Sequence, residues 1–166
     1  MYRNEDAPMP EALRAVVEAH PFVAGFEPRH VAKLTSMTRE MCFDTGWVIF
    51  PEGDHGREFY LLVHGMVALE VTSPGSKLRV QTLHAGDEFG WSAVLTGKSR
   101  VLQARALARA DVLVFDGEQL LEAFKEDTTF GLAFTLRLLG VVSERLSASR
   151  EQLLDLYALE SKRAGT

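Results

Sequence analysis

Residues 83–106 read LHAGDEFGWSAVLTGKSRVLQARA. The stretch opens as a strand, turns at the glycine of HAGD (84–87), resumes as a short strand, and then changes period. GWSAVL has the apolar spacing of one short helix, and TGKSR leads out of it into another strand. A short helix set among strands is an unusual interruption. Its first amides, at Gly90, Trp91 and Ser92, lack partners inside the helix and can receive an anion. Arg100, at the far end of the excursion, can return to the same spot as a bidentate clamp for phosphate. Taken alone, an arginine in a Lys98-Ser99-Arg100 turn faces solvent.

The same punctuation extends to either side. Between Met41 and Phe115 the apolar runs are short: MCF, WVIF, EFYLLV, MVALEV, LRVQTL, VLQARAL and VLVF. Turns at DTG (44–46), PEGDHG (51–56), HG (64–65) and SPGS (73–76) separate them. Short strands at roughly ten-residue spacing predict antiparallel pairing and not alternating β and α units. The expected fold is mainly β, an antiparallel β-roll of the double-stranded jelly-roll type, with short N-terminal helices and a long C-terminal helix.

The flanks read as helices. PEALRAVVEA (10–19) is amphipathic and ends at His20-Pro21, because a residue before proline is pushed out of helical geometry. A second short helix fits 28–36, and residues 1–8 read as a loose start. After Asp116 the helical period returns, first over 117–124 and then from about 128 to 158. Leu132, Leu139, Val142, Leu146, Leu153 and Leu156 approximate an a/d seam there, with Thr135 and Ser149 as imperfect members. A thirty-residue helix is about 45 Å long, more than the body of a small domain needs. A homodimer through 128–158 is the expected use of the excess; a monomer with the helix folded back near Ser147–Ser149 is the alternative. The chain is accordingly divided into 1–127, the helices and the strand-rich unit, and 128–166, a hinge or dimerisation helix with a short tail.

Composition narrows the function. A formal charge of -5 argues against a surface built for duplex DNA, and no nucleic acid is expected as a partner. Cys42 is the only cysteine, so no intramolecular disulfide forms and a secreted disulfide scaffold is not expected. MYRNEDAPMPEALR lacks the apolar stretch of a signal peptide, and the run Leu132 to Val142 is too short and too broken to span a bilayer. These features predict a cytoplasmic protein with no membrane partner. The five histidines form no close ligand pair, and no nucleophile elbow, P-loop or GxGxxG occurs. Neither an enzyme nor a metal site is expected.

Residues 21–116 resemble the cyclic nucleotide-binding domain of catabolite-activator-type regulators, cyclic-nucleotide-dependent kinases and gated channels. PFVAGFEPRHVAKL is similar to the entry helices. WVIFPEGDHGREFYLLVHGMVAL is similar to the strand, PxGD-type turn, aromatic-leucine strand and glycine hairpin. HAGDEFGWSAVLTGKSRVLQARA is similar to the phosphate-binding cassette, and the 128–158 helix resembles the C-terminal hinge helix. The resemblance implies that Arg100 grips a cyclic phosphate and that Gly90 opens the cassette turn. It makes Phe89, Gly90, Trp91, Ser92, Arg100, Val101 and Gln103 the candidate binding residues, and cyclic AMP or cyclic GMP the implied ligand.

Two departures bear on that ligand. Trp91 stands where the family has a glutamate that accepts from the ribose 2′-hydroxyl, and losing such an acceptor costs roughly a hundredfold in affinity. Val101 stands where a small hydroxyl residue is frequent. Gln103 and Arg105 share one face of their strand by the two-residue period, so both face the pocket or both face solvent. Three readings of the pocket follow: a cyclic nucleotide with altered sugar contacts, a different small anion or hydrophobic effector, or a filled core in a structural or protein-interaction module. Leu159 is the last large apolar residue and only ESKRAGT (160–166) follows, so a DNA-reading domain is not expected and the output falls to the long helix or a partner protein.

Overall fold

The run EFYLLV is apolar without alternation, a pattern that calls for burial on both faces of its strand. The computed structural model, which describes residues 10–95 and 99–164 and the side chains of 11–95 and 99–158, supplies both faces. In chain order the elements are α1 (Pro10–Ala19), a 3-10 turn (Pro21–Val23), α2 (Pro28–Met37), β1 (Arg39–Phe43), β2 (Val48–Phe50) and β3 (Glu58–His64). They continue with β4 (Met66–Ser73), β5 (Ser76–His84), β6 (Glu88–Phe89), a second 3-10 turn (Trp91–Val94), β7 (Gln103–Ala106) and β8 (Ala110–Asp116). Two helices close the chain, α3 (Gly117–Glu126) and α4 (Thr128–Ala164). The loose start read at 1–8, the Thr96–Lys98 part of TGKSR, and the side chains of Leu159 and the 160–166 tail lie outside the described residues.

The strands form two antiparallel sheets, ordered β1-β8-β3-β6 and β2-β7-β4-β5. Tyr60, Leu62, Val112 and Val114 of the first meet Val67, Leu69, Leu83, Ala104 and Ala106 of the second in an inter-sheet core. The other face of the first sheet, through Phe59, Leu61, Leu113 and Phe115, packs against Val17, Leu34, Leu120, Phe130 and Phe134 of the helices. Helices, first sheet and second sheet are thus three successive layers, with β3 buried between two cores.

The expected mainly β fold, an antiparallel β-roll of jelly-roll type, is corrected here. The chain is a mixed α/β fold, and its sheets stay open: β1, β6, β2 and β5 are edges, each laddered to one neighbour. The four helices together hold more residues than the eight strands, and α4 alone runs 37 residues. Glycine-spaced short strands fix antiparallel pairing; they do not fix closure, which depends on whether the outer strands find each other.

Phe134 is the hub that seats α4. Its ring lies 5.0 Å from Phe22, 5.3 Å from Phe59 and 5.0 Å from Phe124, so one side chain joins the first 3-10 turn, β3 and α3. Phe130, Phe134 and Leu138, four apart, form the buried stripe of the helix. The leucines of the a/d seam take no part in it. Leu132, Leu139, Leu146, Leu153 and Leu156 are each more than half exposed.

The join between α1 and the sheets rests on His20, which is buried. Its Nε2 lies 3.1 Å from the Leu62 carbonyl and its Nδ1 accepts from the Phe22 amide at 3.2 Å, an arrangement that requires the neutral Nε2–H ring. Burial pushes its pKa below the ordinary value, against the smaller opposing pulls of the Leu62 bond and Asp87. The unfolded chain therefore binds this proton first, and the contribution of His20 is complete above about pH 6.5 and declines as the pH falls below it. In urea unfolding, the stability advantage of the wild type over His20→Asn should shrink between pH 7.5 and pH 5.5; an advantage that does not change with pH would contradict this reading.

Candidate functional site

The site is built where β6 ends. Phe89 is fully buried and stacks on Tyr60, with centroids 4.7 Å apart and planes within 7°. Gly90 follows with φ of 78°, a left-handed turn that suits glycine, and there the chain leaves the sheet. A Cβ at Gly90 would meet the Glu58 carbonyl at 2.7 Å, Tyr60 Cδ2 at 2.9 Å and Arg100 Nη1 at 3.0 Å. The bare backbone at this position is what lets a guanidinium sit beside it.

Arg100 fills that space. Its main chain is tied to the 51–56 turn in both directions: its amide donates to the Asp54 carbonyl at 2.8 Å and its carbonyl accepts from the Gly53 amide at 2.7 Å. The side chain is 5% exposed. The Cζ carbon lies 3.6 Å from the centroid of Phe50 and 5.8 Å from that of Tyr60, so the cation rests on an aromatic floor. Nη2 donates to the Glu58 carbonyl at 2.9 Å. Nε and Nη1 are buried and have no hydrogen-bond partner among the described residues. Burial pushes the guanidinium pKa down, with Tyr60, Asp54 and Glu58 opposing.

The surroundings keep Glu58 from neutralising this cation directly. Its carboxylate is occupied by Arg39 Nη2 at 2.7 Å on one oxygen and by the Tyr60 hydroxyl at 2.6 Å on the other. Burial and that bond to Glu58 push the Tyr60 pKa upward, so the phenol stays a neutral donor. What remains around Arg100 is a largely apolar lining with two N–H-bearing nitrogens to spare. Such a group takes an oxyanion readily, because each unpaired buried polar group costs about 1–3 kcal/mol.

Of the sequence-derived candidates, Phe89, Gly90 and Arg100 come together. Ser92 is half-buried one step further on, against Gly56, where a Cβ would meet its Oγ at 2.3 Å. The expected short helix is a single four-residue 3-10 turn, Trp91–Val94. Trp91 is half-buried and packs against the helix-side core, while its neighbour Phe89 packs between the sheets. Val101 is 77% exposed and does not join the site. Gln103 lies across β7 from Ala104 and Ala106, on the face away from the inter-sheet core; it donates to Glu70 at 2.8 Å and accepts from Lys77 at 2.6 Å. Arg105 shares that face and pairs with Glu70 at 3.2 Å.

Sequence reading missed Phe50, Tyr60 and Glu58. Glu58 and Tyr60 are two apart on one strand and so share a face, and Phe50 ends the strand before the 51–56 turn that holds Arg100. Those placements were the available signal. No group of three or more His, Cys, Asp or Glu side chains among the described residues can hold a metal ion.

Residues 40–127 match the profile of the family described as Cyclic nucleotide-binding domain. A cAMP-dependent protein kinase regulatory subunit of Blastocladiella emersonii is 29% identical over 93 residues, 55% of this chain and 23% of that protein. A CRP-like cAMP-activated global transcriptional regulator of Mycobacterium tuberculosis is 24% identical over 133 residues, 80% of this chain and 58% of the regulator. The chain thus spans about a quarter of the kinase subunit and just under three fifths of the regulator. A crystal structure of a cyclic nucleotide-binding domain from Methylobacillus flagellatus shares the fold with a TM-score of 0.75 at 20% identity, over 88% of this chain and 83% of that one.

Gly90→Ala should be costly, because the added Cβ meets a carbonyl and the left-handed turn is strained by any side chain. The expected loss of unfolding free energy is about 2 kcal/mol or more. A change within about 0.5 kcal/mol, the range of an ordinary surface substitution, would contradict the packing described.

Proposed function

The chain belongs to the cyclic nucleotide-binding domain family, and from that premise we propose a non-catalytic regulatory module that seats a small anionic ligand on Arg100 and passes its occupancy to α4. The observation that carries the reading is the buried guanidinium with Nε and Nη1 unpartnered among the described residues. Phosphoryl oxygens supply acceptors for these unpaired donors in charge-assisted hydrogen bonds, at a position desolvated enough to make each bond count.

Cyclic AMP and cyclic GMP are the first probes to try. The kinase regulatory subunit and the transcriptional regulator that this chain resembles are both named for cAMP. The sugar end of the site is the weak point. Trp91 brings no acceptor and belongs to the helix-side packing, and Val101 faces away. We expect recognition to rest on the phosphate, with modest discrimination between bases and sugars. In the proposed division of labour, residues 1–127 bind and residues 128–166 transmit.

A second reading, a structural or protein-interaction module with a vestigial site, draws on one observation. Phe50 and Tyr60 face Arg100 and pack with Phe89 at ring-centroid distances of 4.7 to 6.0 Å, and the spare nitrogens are buried, inaccessible until something moves. Calorimetric titration separates the two. The ligand reading predicts saturable heat with cyclic AMP, cyclic GMP or a cyclic dinucleotide, and a loss of about a hundredfold or more in Arg100→Ala, because a buried charge partner is removed. Silence from all three with a folded wild type would favour the structural reading.

Dimerisation through α4 is the proposed output surface. The a positions of the seam are all leucine, at 132, 139, 146 and 153, and none of them is used by the body of the same chain. Leu146→Glu with Leu153→Glu should convert a sedimenting dimer to a monomer while leaving the melting of the sheets unchanged at low concentration. A wild type that sediments as a monomer at tens of micromolar would remove this part of the proposal.

A further inference from the structure

Strand β6 is two residues long and pairs only with β3, through Tyr60–Phe89 and Leu61–Glu88. Just before it the Asp87 carbonyl and the Gly86 amide also bond to Leu62, both at 2.8 Å. Glu88 lies two residues before Gly90, and its carboxylate is buried. Oε1 lies 2.6 Å from Arg145 Nη2, with the two side chains 8% and 15% exposed, and the same nitrogen donates to the Glu88 carbonyl. Arg145 belongs to α4, and the described residues after it, 146–158, are all exposed. This pair is one tie between α4 and the rest of the chain; nearer the start of the helix the other tie includes the apolar stripe Phe130, Phe134 and Leu138 and Arg137, which donates to the Ala24 carbonyl.

Between the two ties stands Gly140, exposed, with no heavy atom within 4 Å of where a Cβ would be. Glycine is the weakest ordinary helix former, and here no packing compensates for it. A cleft of about 710 Å³ runs along α4 at this level, with Gly25, Gly86, Glu88, Gly140, Glu144 and Arg145 among its walls. On a helical wheel this flank is turned away from the leucine seam, so movement into the cleft does not require the seam to separate.

We propose that the Glu88–Arg145 pair is a latch fixing β6, and with it the Gly90 turn, to the distal half of α4, with Gly140 as the pivot when the latch opens. A carboxylate in this position cannot be left alone cheaply. If β6 shifts, either Arg145 follows and carries the helix with it, or the pair breaks and water enters from the cleft. Burial already pushes the Glu88 carboxyl above its ordinary pKa, Arg145 pulls it back, and Asp87 and Glu144 add to the push. Both residues are positioning residues and neither touches the ligand seat. The latch takes its purpose from Arg100 as the ligand grip, but no ligand is needed to test it.

Amide hydrogen exchange is measured on the full chain as wild type, Glu88→Gln, Arg145→Gln and the double variant, each first shown to be folded by circular dichroism. Either single substitution should accelerate exchange by about tenfold or more both at 141–146 and at 87–93, and the double variant should add nothing further. Acceleration confined to α4 would overturn the latch, leaving Arg145 a local anchor; unchanged exchange at both segments would overturn it as well. Should Arg145→Gln fail to fold, the exchanged pair Glu88→Arg with Arg145→Glu replaces it. Slow exchange at both segments in that swap supports the latch, and fast exchange at both counts against it. Cyclic nucleotide binding enters none of these readouts, so the latch can fail while the Arg100 reading stands, and the reverse.

Discussion

A guanidinium held out of water with two nitrogens unpaired sets the conditions for everything around it. Arg100 lies against Phe50, is fixed through its main chain to the 51–56 turn, and gives only Nη2 to the described residues. Stacking on an aromatic ring recovers part of the hydration a cation loses on burial, but it does not satisfy N–H donors. A fold that evolved only for stability would place an apolar residue here. An arginine here suits an acceptor that arrives from outside, because the Glu58 carboxylate is engaged by Arg39 and Tyr60 and does not fill that role.

The same stretch of chain stands between two cores. Phe89 packs between the sheets and Trp91 packs under the helices, with Gly90 as the crossing point. A displacement at the crossing is felt in both layers, because close-packed interiors do not absorb movement by compression. On the helix side α4 is held near its start by an apolar stripe and the Arg137 bond to the Ala24 carbonyl, and further along by an ion pair at residue 145. A long helix attached at two points, with a glycine between them, can respond to small shifts at one point with larger shifts of its free end. Exposed Leu146, Leu153 and Leu156 lie on that free end.

Local pattern along the chain carries much of this arrangement. The glycine turns and short apolar runs of 41–115 announce antiparallel strands, and the change of period in GWSAVL marks the excursion that carries Gly90 and Arg100. Whether the sheets close is not legible, since closure depends on outer strands meeting and no local pattern encodes that. Nor can a two-residue period say which face of β7 looks inward, so Gln103 stands among the candidates although it bonds to Glu70 and Lys77 on the far side. The size of Trp91 and its lack of a carboxylate are plain from residue type; its direction is set by the left-handed turn at Gly90. The partnership of Glu88 with Arg145 joins positions 57 apart in sequence, a distance at which charge patterning carries no information.

The most direct measurement is the nuclear magnetic resonance signal of the Arg100 side-chain Nε–H, followed during titration with cyclic AMP and, separately, with inorganic phosphate. A seat for an oxyanion predicts a saturable downfield movement of that one proton with cyclic AMP, while the Arg105 signal, already paired with Glu70, stays in place. An Arg100 signal that does not move at saturating concentrations of either compound would contradict the account.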